Sequence, residues 1–246
     1  MSATLTKPPA AAPILPSGNA VHLPPLADGD ALPRGEFLRR WEAMPDLKFA
    51  ERLEGVVHLM PSPVSLDGHG LPDNSLGGVF WLYTVATPGT ASVGKVTTLI
   101  DFDNDVQPDQ ALIVLPEHGG QTRRQGKYLG GAPELVAEVA HSTAARDRGV
   151  KKEVYRRNGV REYLIWRTDA RLFEAFNLDE DTGQYAEMPL EAGVWKSGAF
   201  PGLWLDLAAL LAGDGAALKR TAEAGLASAE HGKFVAQVAA RTRAGD

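Results

Sequence analysis

No cysteine occurs anywhere in the 246 residues. That absence removes disulfides, thiolate zinc sites and a cysteine nucleophile together, and it suits a reducing compartment. Nor is there a run of the roughly 18 apolar residues that a membrane-spanning helix needs. Near the start, Lys7 is the only early positive charge, and Pro8, Pro9, Pro13 and Pro16 break up the stretch after it. No signal peptide is expected, and a cytoplasmic location is. An excess of basic charge is missing too. The 25 Lys and Arg against 31 Asp and Glu leave a net −6, so bulk charge disfavours a polyanion partner. What is present is apolar. At 44% hydrophobic residues, the chain can bury a sizeable core in one large domain or two small ones.

Residues 1 to 33 are rich in Pro and Ala and poor in large side chains, which predicts a disordered lead-in. Phe37, Leu38 and Trp41 then mark a short helix. Val56, Val57 and Leu59, with Phe49 and Leu53 before them, predict a strand pair that turns near Gly55 and ends at Pro61-Ser62-Pro63. Leu76, Val79, Phe80, Leu82 and Tyr83 give an apolar-faced helix stopped by Thr87-Pro88-Gly89. Strands are expected over Val93–Phe102 and Val106–Leu115, split by the acidic turn Asp103-Asn104-Asp105. After a glycine-rich loop, Leu135 to His141 is apolar enough for a strand covered on both faces. A helix to about Asn158 comes next, with Gly159 as its left-handed cap, and then the strand Tyr163–Trp166. Leu172–Leu178 and Gln184–Met188 flank a turn and read as a hairpin. The expected fold is mixed α/β: a helix, three strands, a helix and a strand, with an N-terminal strand pair and a C-terminal hairpin. The domain spans 34–212. Residues 213–246 form an Ala-rich tail expected to be partly helical.

Several familiar patterns fail on inspection. Gly89 to Lys95 fits the first seven positions of a phosphate-binding loop, but Val96 stands where a Ser or Thr must reach magnesium. Asp101, Asp103 and Asp105 mimic a calcium loop, yet Val106 replaces its turning Gly and Leu112 its bidentate Glu. The six histidines (22, 58, 69, 118, 141 and 231) include no i, i+4 pair, which argues against zinc. No Gly-x-Ser-x-Gly elbow occurs.

One constellation survives. Asp109 comes directly after Pro108 at the head of an apolar strand, and Glu138 lies inside Leu135–Ala140. An unpaired carboxylate in a central strand costs several kcal/mol, so each needs a partner. Two such groups on adjacent strands can share a divalent cation; a buried Arg or Lys is the other solution. Asp147, Lys151 and Tyr155 recur at i, i+4 and i+8 on the next helix. Between 144 and 167, eight Lys and Arg (146, 148, 151, 152, 156, 157, 161 and 167) against three acids (147, 153 and 162) make a local +5. Such a run is either a solvated helix face or the approach to a polyphosphate backbone.

Taken in order, these stretches resemble the Uma-two family of restriction-endonuclease-like proteins, within the PD-(D/E)xK nuclease superfamily. The resemblance runs from about 34 to 212. It rests on Glu51-Arg52-Leu53-Glu54-Gly55-Val56-Val57, Met60-Pro61-Ser62-Pro63, Gln107-Pro108-Asp109, Gly131 through Glu138 to Val139, Asp147 through Lys151 to Tyr155, Gly159 to Trp166, and Phe200-Pro201-Gly202-Leu203. It implies a restriction-endonuclease-like core and a metal-dependent endonuclease acting on DNA. Asp109 and Glu138 match the family's metal-binding acids, and Lys151 its lysine, since position 140, two residues after Glu138, is Ala. Glu54 matches a further acidic ligand position, with Glu51 as the other choice. His141 stands where the family often has Ser. The implied cofactor is Mg²⁺, with Mn²⁺ as a substitute, and a homodimer would serve the two strands of a duplex. Lys151 would either deprotonate water or stabilise charge on the phosphate, and the second role needs no lowered pKa. The contrasting expectation is a nuclease-fold binding or scaffold module without turnover, consistent with the acidic balance and with Ala140. A third is a hydrolase of small phosphorylated substrates, which would need a closed pocket too narrow for a duplex.

Overall fold

The computed structural model describes residues 23–59, 63–141, 143–188 and 190–241. In chain order, α1 (Arg34–Glu42) precedes the strands β1 (Ala50–Leu53) and β2 (Val56–Leu59), and a π-turn (Leu66–Gly70) leads into α2 (Leu71–Ala86). Then come β3 (Thr90–Gly94), β4 (Thr98–Leu99), β5 (Asp105–Val106), β6 (Gln110–Val114), β7 (Arg123–Gln125), β8 (Tyr128–Gly130) and β9 (Leu135–Ala140). A short α3 (Ala144–Arg146), a π-turn (Asp147–Lys151) and α4 (Lys152–Arg157) lead to β10 (Glu162–Arg167). The chain finishes with β11 (Leu172–Asp179), β12 (Gln184–Glu187), β13 (Val194–Lys196), β14 (Trp204–Asp206), α5 (Leu207–Ala212), α6 (Gly215–Leu226) and α7 (Ala229–Ala240). Among the described residues no helix is long and apolar enough to cross a membrane.

The central sheet has the order β12-β11-β10-β9-β6-β3, with β9 and β10 parallel and every other pair antiparallel. A parallel neighbour requires a crossover, and residues 144–157 supply it. Helix, three strands, helix, strand is therefore the order of the core, as the hydrophobic pattern predicts. Both faces are covered. Leu112, Val114, Leu135, Ala137, Val139, Leu164 and Trp166 pack with α2 and the C-terminal helices. Ala111, Val136, Ala140, Tyr163 and Ile165 pack with Val154 and Tyr155 of α4 and with Leu53 and Val106. The last two belong to a smaller second sheet, β2-β1-β5-β4-β8-β7.

Two expected long strands are each divided between these sheets. Val93–Phe102 becomes the end of β3 plus β4, because Lys95 adopts a left-handed φ of 54° and redirects the chain. Val106–Leu115 becomes β5 and β6 on either side of Pro108, which has no N–H to donate to a ladder. The glycine-rich loop contains the β7–β8 hairpin. The hairpin over 172–187 forms as expected.

The N-terminal end departs from expectation, and the tail, helical as expected, is packed onto the domain. Of the lead-in, residues 1–22 lie outside the described residues, but the remainder is packed. Leu26 is buried, Ala31 bridges Val56, and Gly29 N–H donates to the Val57 carbonyl. The tail likewise folds against the domain: Leu218, Ala222, Phe234 and Val238 join the main core. Alanine-rich composition hid a helical stripe of a few large residues. The end of the N-terminal strand pair at Met60-Pro61-Ser62 and the last residues, 242–246, lie outside the description.

The acidic turn is also more than a turn. Asp105 is buried, with Arg52 Nε 2.7 Å from one oxygen and Arg34 Nε 2.6 Å from the other. Arg52 is itself buried, so removing its partner strands a charge in the interior. Asp105→Ala is expected to cost about 3–5 kcal/mol in a urea or thermal melt. A loss under about 1 kcal/mol would mean that water reaches Arg52 as readily as Asp105 does.

Candidate active site

Strand alternation decides which way the key carboxylates face. In β9, Leu135, Ala137 and Val139 point toward α2, so Val136, Glu138 and Ala140 point toward α4 and the smaller sheet. β6 pairs with β9 as Gln110↔Ala137 and Ala111↔Val136. One further step in that register sets Asp109 opposite Glu138. In β1, Arg52 turns toward Asp105, which sends Glu51 to the opposite face. There it meets Lys151 from the π-turn. Glu51, Asp109, Glu138, Asp147 and Lys151 all line one cavity of about 200 Å³.

Lys151 is the hub. Its Nζ lies 2.7 Å from Glu138 Oε1, 2.9 Å from Glu51 Oε1 and 3.8 Å from Asp147 Oδ1. The Tyr155 hydroxyl donates to the same Glu138 oxygen at 2.8 Å, and the Gln107 N–H donates to Glu51 at 2.8 Å. Burial alone would push the lysine down, but Glu138, Glu51 and Asp147 together carry it well above its ordinary value. Glu138 itself is pushed well up by burial, against the pull of Lys151 and with the help of Asp147, Asp109 and Glu51. Burial likewise raises Asp147. Carboxylates outnumber the ammonium here.

Asp109 sits just before β6 and differs in its partners. Its Oδ2 accepts the Val139 N–H at 2.8 Å, and its Oδ1 lies 3.0 Å from His69 Nε2. Burial would raise its carboxyl; the hydrogen bonds from His69 and Val139 prevail and hold it below the usual range. His69 is raised in return, chiefly by that hydrogen bond. Neither His69 nor Lys95, whose Nζ stands 3.9 Å from Asp109 Oδ1, is a candidate from sequence. His69 comes from a π-turn that periodicity does not foresee. Lys95 belongs to the failed phosphate-loop pattern.

The structure therefore brings Asp109, Glu138 and Lys151 together and leaves Glu54 out. Glu54 and Gly55, with φ of 53° and 77°, are the two central residues of the β1–β2 turn. Such a turn presents its side chains to solvent. Glu54 pairs with Arg157 instead of facing the cavity. Glu51, three residues earlier and inside the strand, occupies the acidic position at the site.

The local +5 is also reduced by partners from outside the segment. Arg148 pairs with Glu174, and Arg157 with Glu54 and Asp101. Lys152 lies over the Phe176 ring, and Lys151 is enclosed by carboxylates. Of this run, Arg146 and Lys151 line the cavity. Summing charge along a segment counts cations whose carboxylates come from elsewhere in the chain.

Among the described residues no three His, Asp or Glu groups form a ready-made metal cage. The donor chemistry nevertheless fits a hard divalent cation: four carboxylates, all oxygen donors, line one cavity. Magnesium is commonly held by one or two carboxylates, with water and substrate phosphate completing its shell. Asp109 and Glu138, opposite each other on adjacent strands, are the two carboxylates that could supply such a pair.

A search of curated proteins finds no match. Among solved structures, the chain is similar to one described as a putative nuclease belonging to DUF820 from Anabaena variabilis. The match has a TM-score of 0.54 at 13% identity and covers 74% of this chain and 98% of that one. At that identity the likeness is one of fold. The family described as "Uma2: Putative restriction endonuclease" matches residues 35–208, well over half of the sequence. With that span holding Glu51, Asp109, Glu138 and Lys151, the chain belongs to the Uma2 family.

Proposed function

We propose that this chain is a metal-dependent endonuclease that hydrolyses phosphodiester bonds of DNA. The observation that carries the reading is Lys151, held between Glu51 and Glu138 in the cavity that Asp109 also lines. A lysine with three carboxylate neighbours stays protonated, which suits it to stabilise negative charge and not to act as a base. Glu51 and Asp147 hold that ammonium in place. Asp109 and Glu138 would hold Mg²⁺ or Mn²⁺, which supplies charge to polarise a phosphate oxygen and to make water more acidic. His69, on the same cavity wall, orients the Asp109 carboxylate through its hydrogen bond to Oδ1, in the way partners of metal ligands fix those ligands. Cutting both strands of a duplex would take two such sites, as in a homodimer, or one site used twice.

Nicking of supercoiled plasmid is expected with Mg²⁺ or Mn²⁺ and not with EDTA, and Asp109→Asn should reduce it at least about 10²-fold. Duplex binding without nicking in any divalent metal would instead favour the binding module. Nicking unaffected by Asp109→Asn would place the chemistry elsewhere.

A further inference from the structure

Lys95 is a second lysine on the cavity wall, set apart from Lys151 by its exposure and by its partner. Lys151 is 4% exposed and enclosed by Glu51, Glu138 and Asp147, whereas the Lys95 side chain is 31% exposed and lines the same cavity. Its ammonium lies 2.5 Å from Asp73 Oδ2 and 3.9 Å from Asp109 Oδ1, and 5.7 Å from the centre of the Phe49 ring. Asp73 is not dependent on it, since its other oxygen accepts Gln110 Nε2 at 2.7 Å.

The backbone beneath Lys95 is held in an unfavourable state. A φ of 54° is uncommon for a side chain with a Cβ, and such residues gather where a side chain must be aimed. Here the Lys95 N–H donates to the Pro108 carbonyl at 3.0 Å, and Gln107 Nε2 donates back to the Lys95 carbonyl at 3.3 Å. Residues 107 and 108 directly precede Asp109. Lys95 and Asp109 are thus mounted on one hydrogen-bonded piece of backbone, with their spacing set by it. An ion pair with Asp73 alone would not require that arrangement, since the two side chains can meet without fixing the spacing of Lys95 from Asp109.

We propose that Lys95 is a substrate contact that leaves Asp73 to bind a non-bridging phosphate oxygen of the nucleic-acid backbone at the Asp109 side of the cavity. This rests on the nuclease reading above and assigns the phosphate grip within it. Lysine serves this role as a mobile point charge on a flexible stem. The failed phosphate-loop motif at 89–95 therefore ends in a residue that meets phosphate by another geometry.

The test is duplex binding to the full chain without divalent metal, read by fluorescence anisotropy across a salt series, for wild type, Lys95→Met and Lys95→Arg. Lys95→Met should weaken binding by about 3–10-fold at low salt and flatten the log-affinity against log-salt slope by about 1. Lys95→Arg should restore the slope, and thermal melts of all three should coincide. In multiple-turnover nicking with Mg²⁺, Lys95→Met should raise KM more than it lowers kcat. A wild-type protein that does not bind duplex overturns the nuclease reading and this assignment together. Wild-type binding with an unchanged slope in Lys95→Met overturns the assignment of Lys95 alone.

Discussion

Lys151→Met is expected to abolish nicking, by about 10²–10³-fold or more, the usual loss when one preorganised donor to a developing oxyanion is removed. The same change should destabilise the fold by about 3–5 kcal/mol, because breaking a buried ion pair leaves its partners uncompensated. Three partners are stranded here: Glu51, Glu138 and Asp147 all lose their shared ammonium. The stability defect should depend on pH. Burial already raises Glu138 and Asp147 above their ordinary values of 4.5 and 3.8, so the folded state binds their protons more readily than the unfolded chain does. Stability from such groups is present at low pH and lost as pH rises through the folded-state pKa. Without Lys151 those carboxyls rise further. The difference in melting temperature between wild type and variant should therefore shrink as pH falls from 8 toward 5. A gap that stays constant with pH would show that lost packing, not stranded charge, causes the defect.

Glu138→Gln should separate function from stability in the opposite way. Glutamine keeps an oxygen for the Lys151 ammonium and the Tyr155 hydroxyl, both of which contact Glu138 Oε1. It also removes one negative charge from a cavity that retains Glu51, Asp109 and Asp147. Lys151 still has Glu51 at 2.9 Å. The folded state should change by no more than about 1 kcal/mol, because Glu51 still balances Lys151 and burial already disfavours the charged form of Glu138. Nicking should fall at least about 10³-fold, because a cation held at Asp109 and Glu138, as proposed, would contribute several kcal/mol of charge stabilisation. Calorimetric titration with Mn²⁺ should show the matching loss of affinity. Unimpaired Mn²⁺ binding would remove Glu138 from the ligand set, whatever happens to activity.

Much of this site is visible in the linear chain, for a specific reason. A carboxylate inside Leu135–Ala140 contradicts its surroundings, and a lysine at i+4 from Asp147 and i−4 from Tyr155 shares a helix face with both. Glu138 stands out because it breaks the apolar pattern of its strand, whereas Asp109 and Lys151 are picked out mainly by their match to the family's Pro-Asp and lysine positions. Glu51 and Glu54 do not stand out from each other. Both precede Gly55, and only the two left-handed residues of the turn decide that Glu51 faces in and Glu54 out. His69 and Lys95 carry no periodic signal at all. Their positions come from a π-turn and a left-handed bend that join separate elements.

The same division runs through the whole fold. By itself the sequence determined the order of helices and strands in the core, the burial of β9 on both faces and the presence of two carboxylates in need of partners. Those properties arise from local periodicity and from the cost of burying charge, which operate within a few residues. Tertiary structure alone decided that the strands on either side of Lys95 and Pro108 belong to different sheets, and that the Ala-rich tail completes the core. It also decided which cations of the basic run are already paired. A cation's worth depends on which carboxylate the fold brings to it, and that partner can lie a hundred residues away.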